Sequence, residues 1–477
     1  MLFNSVEYFI FLAGIGIAYF VLPYRLRIWL LLAGSYCFYM WWRWEYGFLL
    51  LGITLVNYVC ARLIAAARRT RTRKWWLACG VISSLGVLGA FKYFNFVNDT
   101  VRHILRVADI DYGFSGFGIL LPIGISFFTF QALGYTIDVY RGAYAAERHF
   151  GRFAVYVSFF PQLVAGPIER AGHLLAQFKR ENHFDVARLS EGGKLIAWGL
   201  FKKVVIADNL AVYVDRVYGT PDLYSGSTLL LATYFFAFQI YCDFSGYSDI
   251  AVGSARILGY DLMQNFRLPY LATSIRDFWK RWHVSLSSWF ADYLYLPLGG
   301  NRVLPARWIF NIFTVFVLSG LWHGASWTFV VWGGLHACYY LAEVLAGKVN
   351  RRVWGVKGLP SLLTRWLRIL LTFHLVVLAW VFFRARTLAD AFLILGRIFT
   401  DATSRLYLGP SQMVTLVSIC LILLLIVVQL LQMRGLVVLH SGRPRMPSIV
   451  RWVGYLGILH GIALLSKGSN EFIYFQF

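Results

Sequence analysis

The stretch Leu321-Trp322-His323-Gly324-Ala325-Ser326-Trp327, which continues through Thr328 to Leu335 and ends at His336, decides how the rest of the chain is read. Preceded by the apolar run from Ile309 to Ser319, it reads as membrane-embedded helix, a setting from which hydrocarbon normally excludes ionisable side chains. Both histidines are therefore functional candidates. They lie 336 − 323 = 13 residues apart, which on an unbroken helix is about 20 Å of rise and about 220° of rotation. On that geometry the pair does not share one reaction centre. Gly320, Gly324, Gly333 and Gly334 argue against an unbroken helix and remove side-chain bulk, so that a groove past Gly333 can lead to His336 one turn on.

Composition supports a membrane setting for the whole chain. With 59% hydrophobic and 14% charged residues over 477 positions, there is too little polar surface for a soluble protein. Apolar runs recur from end to end without a long polar linker, so one membrane domain over residues 1–477 is expected. Lys+Arg 45 against Asp+Glu 23 gives a net charge of +22. The basic residues concentrate in loops beside apolar runs, as the positive-inside rule requires, and the expected anionic partner is lipid headgroups rather than nucleic acid. Cys37, Cys60, Cys79, Cys242, Cys338 and Cys420 are scattered through apolar segments without metal-ligand or disulfide spacing, and read as small core residues.

In chain order, spans are expected over Ser5 to Leu22, from the Pro23-to-Arg27 turn to Met40, from Phe48 to Ala67 and from Trp75 to Val97. The first has no basic leader and no small-residue cleavage site, so it is expected to stay in the mature protein. Between the third and fourth lies Arg68-Arg69-Thr70-Arg71-Thr72-Arg73-Lys74, which has no acidic residue and is expected to be cytoplasmic, with the Arg25/Arg27 turn on the same side. Asp138 to Arg152 is expected there too. Two stretches, Leu120 to Gln131 and Phe159 to Arg170, are interrupted by Pro and Gly and read as broken or re-entrant, while Gly172 to Lys194 reads as interfacial helix. A further span covers Leu195 to Val214. Asp243 and Asp249 then interrupt an aromatic run, and a buried polar network that fixes helix packing explains them better than metal ligation. Ser274 to Trp289 has basic and aromatic residues at helical spacing with too many charges to span, and alone it reads as an interfacial anchor. Spans near Trp366 to Phe383, Met413 to Gln432 and Ile449 to Leu465 complete the chain, with Arg384, Arg386, Arg397 and Arg405 where alternation places a loop outside. The fold expected is an all-α polytopic membrane protein with roughly ten to thirteen membrane-embedded helices.

Several of these stretches together carry a resemblance. Asp-Phe-Trp-Lys-Arg-Trp-His-Val-Ser-Leu-Ser-Ser-Trp (277–289), Leu-Trp-His-Gly-Ala (321–325), Trp-Gly-Gly-Leu-His (332–336), Ala-Gly-Pro-Ile-Glu-Arg (165–170) and Tyr-Cys-Asp-Phe-Ser-Gly-Tyr-Ser-Asp (241–249) resemble the membrane-bound O-acyltransferase family. Within it they are similar to the bacterial branch that acylates envelope polymers such as alginate and lipoteichoic acid. The motif-bearing core covers residues 120–346. The resemblance implies a tunnel through the membrane domain and transfer of an acyl group from a cytoplasmic thioester, acetyl-CoA or another, to an extracytoplasmic acceptor. It implies a location in the bacterial cytoplasmic membrane, no permanently bound cofactor, and a separate extracytoplasmic acetyltransferase that completes O-acetylation of a polysaccharide. An alginate-like exopolysaccharide is favoured, with D-alanyl transfer as the alternative.

His336 matches the family's invariant histidine, His283 its second polar position, and His323 the bacterial Trp-His-Gly pattern. Attack of a hydroxyl on a thioester needs a base neutral near pH 7, for which a buried imidazole at His336 is suited, while His283 suits orientation of the thioester or support of the oxyanion. Lys280 and Arg281 are candidates for the donor's phosphates. Gly333 is expected to border the path of an acyl chain or pantetheine arm, with close helix packing as the alternative. A secondary transporter would also carry broken helices and intramembrane polar residues, but two related halves are expected of it and none is visible. A non-catalytic scaffold would not need His336. The topology has a direct test: a cysteine placed at Thr72 is expected to resist a membrane-impermeant thiol reagent in intact cells, and ready labelling would reverse the orientation.

Overall fold

In the computed structural model the described residues are all but 119, 165, 354–360, 402–405, 410, 438–446, 467–471 and 474–477, with the side chains of 348–353 and 361 also outside the description. Among them the secondary structure is helical throughout, with no strand. Eight helices are long and apolar enough to cross a membrane, so the chain is a multi-pass membrane protein. It divides into two compact units, Met1–Gly192 with Ser254–Met263, and Gly193–Gly253 with Gln264–Phe477.

The first unit contains α1 (Val6–Val21), α2 (Tyr24–Met40), α3 (Glu45–Ala66), α4 (Thr70–Val107, with a π-helical turn at Gly89–Tyr93), α5 (Ile125–Arg141) and α6 (Phe150–Ser158). α1, α2 and α3 follow the expected spans closely because each is an apolar run bounded by Pro, Gly or charge, whereas α4 begins inside the basic Arg68-to-Lys74 stretch and runs past Val97 to Val107, and α5 is regular helix where a broken segment is expected. Asn57 on α3 donates to Ser84 on α4 at 2.9 Å and accepts from Thr136 on α5 at 2.8 Å, joining three helices by hydrogen bonds that water cannot replace at that depth. The stretch from Leu120 breaks at Gly124, whose φ of 76° places a missing Cβ 2.7 Å from the Leu163 carbonyl oxygen. Only glycine fits there. From Ile125 the chain is regular helix, buried on every side as far as Thr136.

The turns after α6 lie buried, with Phe159, Phe160, Leu163, Ile168 and Glu169 all in the core. Such backbone needs internal partners. Gln131 and Gln162 both donate to the Tyr156 carbonyl, the latter at 2.8 Å, and Tyr156 Oη donates to the Glu169 carbonyl at 2.8 Å. The Glu169 carboxylate accepts from Met263 N–H at 2.5 Å and from His173 Nδ1 at 2.7 Å. Burial pushes the Glu169 carboxyl up, and the bond to Glu169 raises His173.

The basic loops gather as expected. Arg73 donates to the Tyr140 carbonyl at 2.7 Å, Tyr58 to the Arg148 carbonyl at 2.6 Å, and Arg27 to the Asn182 carbonyl at 2.5 Å. Trp29, beside the Arg27 turn, packs against His149 with ring centroids 5.6 Å apart, so the Arg27 turn, the Arg68-to-Lys74 stretch and the segment around Arg141 to Arg152 share one end of this unit.

The second unit begins within α7 (Val186–Leu200), which runs through a π-helical turn at Phe201–Ala207 into Asp208–Gly219. It continues with α8 (Gly226–Ile257), α9 (Ile275–Trp279), α10 (Val284–Phe290), α11 (Pro305–His323), α12 (Trp327–Val353), α13 (Ser361–Arg384), α14 (Leu388–Thr400), α15 (Gln412–Met433) and α16 (Ser448–Leu465). Within the apolar window of α8, 83% of residues are buried, against none for α16. The first is a core post; the second offers its apolar surface to lipid. Arg384, expected in an outer loop, ends α13 and pairs with Asp215 at 2.6 Å, while Arg397 donates to the carbonyls of Asp222 and Tyr224 at 2.5 and 2.8 Å. These arginines fasten a loop rather than report topology. Arg405 lies outside the described residues.

Asp243 and Asp249 belong to the buried polar network that the sequence favours. Gly199 and Gly246 bring α7 and α8 so close that a Cβ on either would stand 2.6 or 2.7 Å from the other's carbonyl oxygen. The π turn then directs two successive lysines inward: Lys202 pairs with Asp249 at 2.8 Å and donates to Ser245 at 2.8 Å, while Lys203 pairs with Asp208 at 2.9 Å and Asp243 at 2.5 Å. Asp243 also accepts the Ile473 N–H at 2.7 Å. Removing one member leaves buried charge without its counter-ion, a loss of about 3–5 kcal/mol. Lys203→Met is therefore expected to lower the melting temperature sharply, and Lys203→Met with Asp208→Asn and Asp243→Asn to recover most of the loss. A single variant as stable as the parent would remove the network from the determinants of the fold.

Candidate functional site

The Ser274-to-Trp289 stretch is folded back on itself. Ser274 caps α9 by accepting the Asp277 N–H at 3.1 Å, and Asp277 in turn accepts the Thr273 N–H at 3.1 Å and Arg281 Nε at 2.8 Å. After one turn of helix the chain reverses through Lys280 to His283, whose φ of 43° is left-handed. Such a conformation in a non-glycine residue persists only where its surroundings hold it. Asn265 does so, accepting the Val284 N–H on its carbonyl at 3.0 Å and the Ser285 hydroxyl on Oδ1 at 2.6 Å. Phe278, Trp282 and His283 become fully buried, where the sequence alone suggested an interfacial anchor.

The helix expected from Leu321 to His336 is broken. α11 ends at His323, Gly324 is extended with φ −157°, and α12 starts at Trp327. α11 and α12 then pack against each other at two glycines. A Cβ on Gly320 would run into the Phe329 carbonyl oxygen, and one on Gly333 into that of Phe316 and within 3.0 Å of Val317 Cα. Gly333 therefore serves close packing rather than bordering an acyl path. The hairpin also overturns the separation computed for a continuous helix. His323 and His336 both lie against Trp332, with ring centroids 5.3 and 4.9 Å from it. His283 is 6.3 Å from His323 and 5.7 Å from Trp322, which completes the group.

His336 has an aromatic cage. Phe278 and Phe316 lie nearly parallel to it at 6.2 and 6.3 Å, and Trp279 Nε1 donates to Nδ1 at 3.3 Å. The ring is 0% exposed, and among the described residues Nε2 has no hydrogen-bond partner. Nor do the buried indole N–H groups of Trp282, Trp332 and Trp380, although these rings pack within 5.0–5.7 Å of one another through Trp380. Each such orphan disfavours the fold by about 1–3 kcal/mol.

A cavity of about 650 Å³ opens one helical turn away, in the size range of ligand pockets. Its wall includes Arg276, three residues before Trp279, and Tyr340, four after His336, with Tyr295, Asn301 and Trp308. Lys280 is exposed, and Arg281 is tied to Asp277. The structure thus brings His283, His323 and His336 together, leaves Lys280 at the surface, and adds Arg276, Trp279 and Tyr340, which spacing alone did not single out.

A buried histidine cluster and, one helical turn along α12 at Tyr340, a ligand-sized cavity lie within one bundle of apolar helices. A family model described as membrane-bound O-acyltransferase matches residues 147–382. The chain is 41% identical over 411 residues to a probable alginate O-acetylase of Pseudomonas aeruginosa, covering 85% of this chain and 76% of that one. It is 35% identical over 445 residues to a peptidoglycan O-acetyltransferase of Helicobacter pylori, with 86% and 82% covered. A teichoic acid D-alanyltransferase of Bacillus subtilis is 28% identical over 342 residues, with 67% and 80% covered. The chain belongs to the membrane-bound O-acyltransferase family and is an acyltransferase.

Because Gly333 meets backbone, Gly333→Leu is expected to force α11 and α12 apart, with a loss of about 3 kcal/mol, the upper end for overpacking. Gly334, with nothing within 4 Å of its missing Cβ, is the control, and Gly334→Leu is expected to melt like the parent. Equal melting of both variants would refute the packing role.

Proposed function

We propose that this chain carries out the membrane step in O-acetylation of an extracytoplasmic polysaccharide, an alginate-like exopolysaccharide first among them, with acetyl-CoA as the cytoplasmic donor. The observation that carries the reading is His336, fully buried one helical turn from a cavity with a guanidinium on its wall. The P. aeruginosa relative supports acetyl as the group moved and alginate as the polymer. All 477 residues act as one acyltransferase domain of the cytoplasmic membrane, and a separate extracytoplasmic acetyltransferase delivers the group to the polymer.

The reaction joins a hydroxyl oxygen to the thioester carbonyl carbon and breaks the C–S bond, and the hydroxyl proton ends on the thiol. It needs a lone pair to take that proton and a hydrogen-bond donor to hold the oxyanion. His283, His323 and His336 supply both, close-packed among aromatic rings that exclude water and strengthen each polar contact. Arg276 and Lys280 approach the donor's phosphates, whereas Arg281 is held by Asp277 and serves the α9 turn. Peptidoglycan acetylation and D-alanyl transfer are the alternatives that the other relatives suggest.

Purified protein in lipid nanodiscs, with water or an added alginate oligosaccharide as the hydroxyl that receives the acetyl group, is expected to release thiol from acetyl-CoA, and His336→Ala to abolish release while melting like the parent. Equal release by parent and variant would sink the assignment, and loss of ester-linked acetyl from a polymer other than alginate in cells lacking the protein would redirect the acceptor.

A further inference from the structure

One directed contact joins Trp279 to His336. The indole N–H, which can only donate, meets His336 Nδ1 at 3.3 Å, with ring centroids 5.0 Å apart and planes at 81°, so the indole turns its edge toward the imidazole. Trp279 is itself seated by edge contacts with Phe316 at 5.5 Å and Trp332 at 5.7 Å. A ring nitrogen that accepts carries no proton, and a neutral imidazole has one proton to place. That proton then sits on Nε2. This reverses the usual arrangement of a histidine base, in which an acceptor takes the proton of one nitrogen and leaves the lone pair of the other for the substrate. Here the nitrogen without a partner among the described residues is the one that bears hydrogen.

We propose that Trp279 is a positioning residue that holds His336 as its Nε2–H tautomer, so that His336 serves the transfer as a neutral hydrogen-bond donor to the acyl carbonyl oxygen. The assignment rests on the acyl-transfer reading above and specifies the role of one residue within it. The acceptor hydroxyl oxygen adds to the carbonyl carbon, the carbonyl electron pair moves onto oxygen, and Nε2–H donates to that oxyanion. Its proton passes from the hydroxyl to a ring lone pair of the His283–His323 pair. As the carbonyl re-forms, the C–S bond breaks and the departing thiolate takes the proton. A neutral imidazole is chemically sufficient to polarise a carbonyl in this way.

The test uses the full chain in lipid nanodiscs with acetyl-CoA as donor and water or an added alginate oligosaccharide as the hydroxyl that receives the acetyl group, and three variants checked for parental melting. Glutamine keeps an N–H donor but takes no proton, so His336→Gln is expected to release thiol at least about tenfold faster than His336→Ala. Trp279→Phe keeps a ring and loses the donor. It is expected to lower kcat about ten- to a hundredfold with KM for acetyl-CoA within about twofold. Nitrogen-15 shifts of His336, assigned by their absence in His336→Gln, are expected to show hydrogen on Nε2 in the parent and a mixture of tautomers in Trp279→Phe. Hydrogen on Nδ1 in the parent overturns the proposal without recourse to any variant. So does a folded His336→Gln as slow as His336→Ala, or a Trp279→Phe enzyme at the parental rate. Absence of thiol release by the parent would count against the acyl-transfer reading instead, and the tautomer measurement would still decide the Trp279 assignment.

Discussion

The backbone contact between α11 and α12 at Gly320 and Gly333 is the constraint on which the site depends. Two helices normally keep their axes about 8–10 Å apart because side chains stand between them. Where both lack side chains, the backbones touch and the next residues along each helix come to the same place. His323 ends α11 one turn after Gly320, and Trp332 and His336 flank Gly333 on α12. Trp332 then stands between the two imidazoles, and Phe316, whose carbonyl oxygen lies at Gly333, turns its ring to His336. A side chain at either glycine would separate the groups the chemistry needs together.

The α9–α10 turn brings the remaining partners by a different device. Its hydrogen bonds run through Asp277 and Asn265, neither of which carries chemistry, and they hold His283 in a left-handed conformation. Strain at that residue is offset by full burial of Phe278 and Trp282. The turn therefore contributes Trp279 to His336 from one side and His283 to His323 from the other.

Much of this was legible in the sequence, and the limits have physical causes. The spans, the shared end of the basic loops, and His323 and His336 follow from hydropathy, acid-free loops and ionisable groups in apolar surroundings, all of which act within a few residues; His283 is reached only through the family resemblance. The glycines between Leu321 and His336 point to a break but not to its place at Gly324, because apolar residues on both sides conceal where the backbone passes through an extended residue. Gly333 could be read as open space or as contact, since a missing side chain looks the same in either case. Lys202 and Lys203 are two adjacent cations inside an apolar run, yet their pairing with Asp208, Asp243 and Asp249 needs the π turn to aim both inward. Trp279 was indistinguishable from Trp282 and Trp289 by spacing; only the direction of its N–H separates it.

The separation of these two polar clusters agrees with the demands of the reaction. Lys202, Lys203 and their carboxylates hold permanent charge, and each charge is offset by a neighbour. The rings packed around His336 carry no permanent charge among them. Thioester, hydroxyl, ester and thiol are all neutral, so a permanent charge at the centre would be desolvated throughout the cycle to serve transients alone. On the proposed route these are the oxyanion and the imidazolium formed as the His283–His323 pair takes the hydroxyl proton, and a fixed neutral donor in a dry aromatic cage interacts with the oxyanion more strongly than water-exposed groups do. On the proposed assignment, the His336 Nε2–H is such a donor before charge develops.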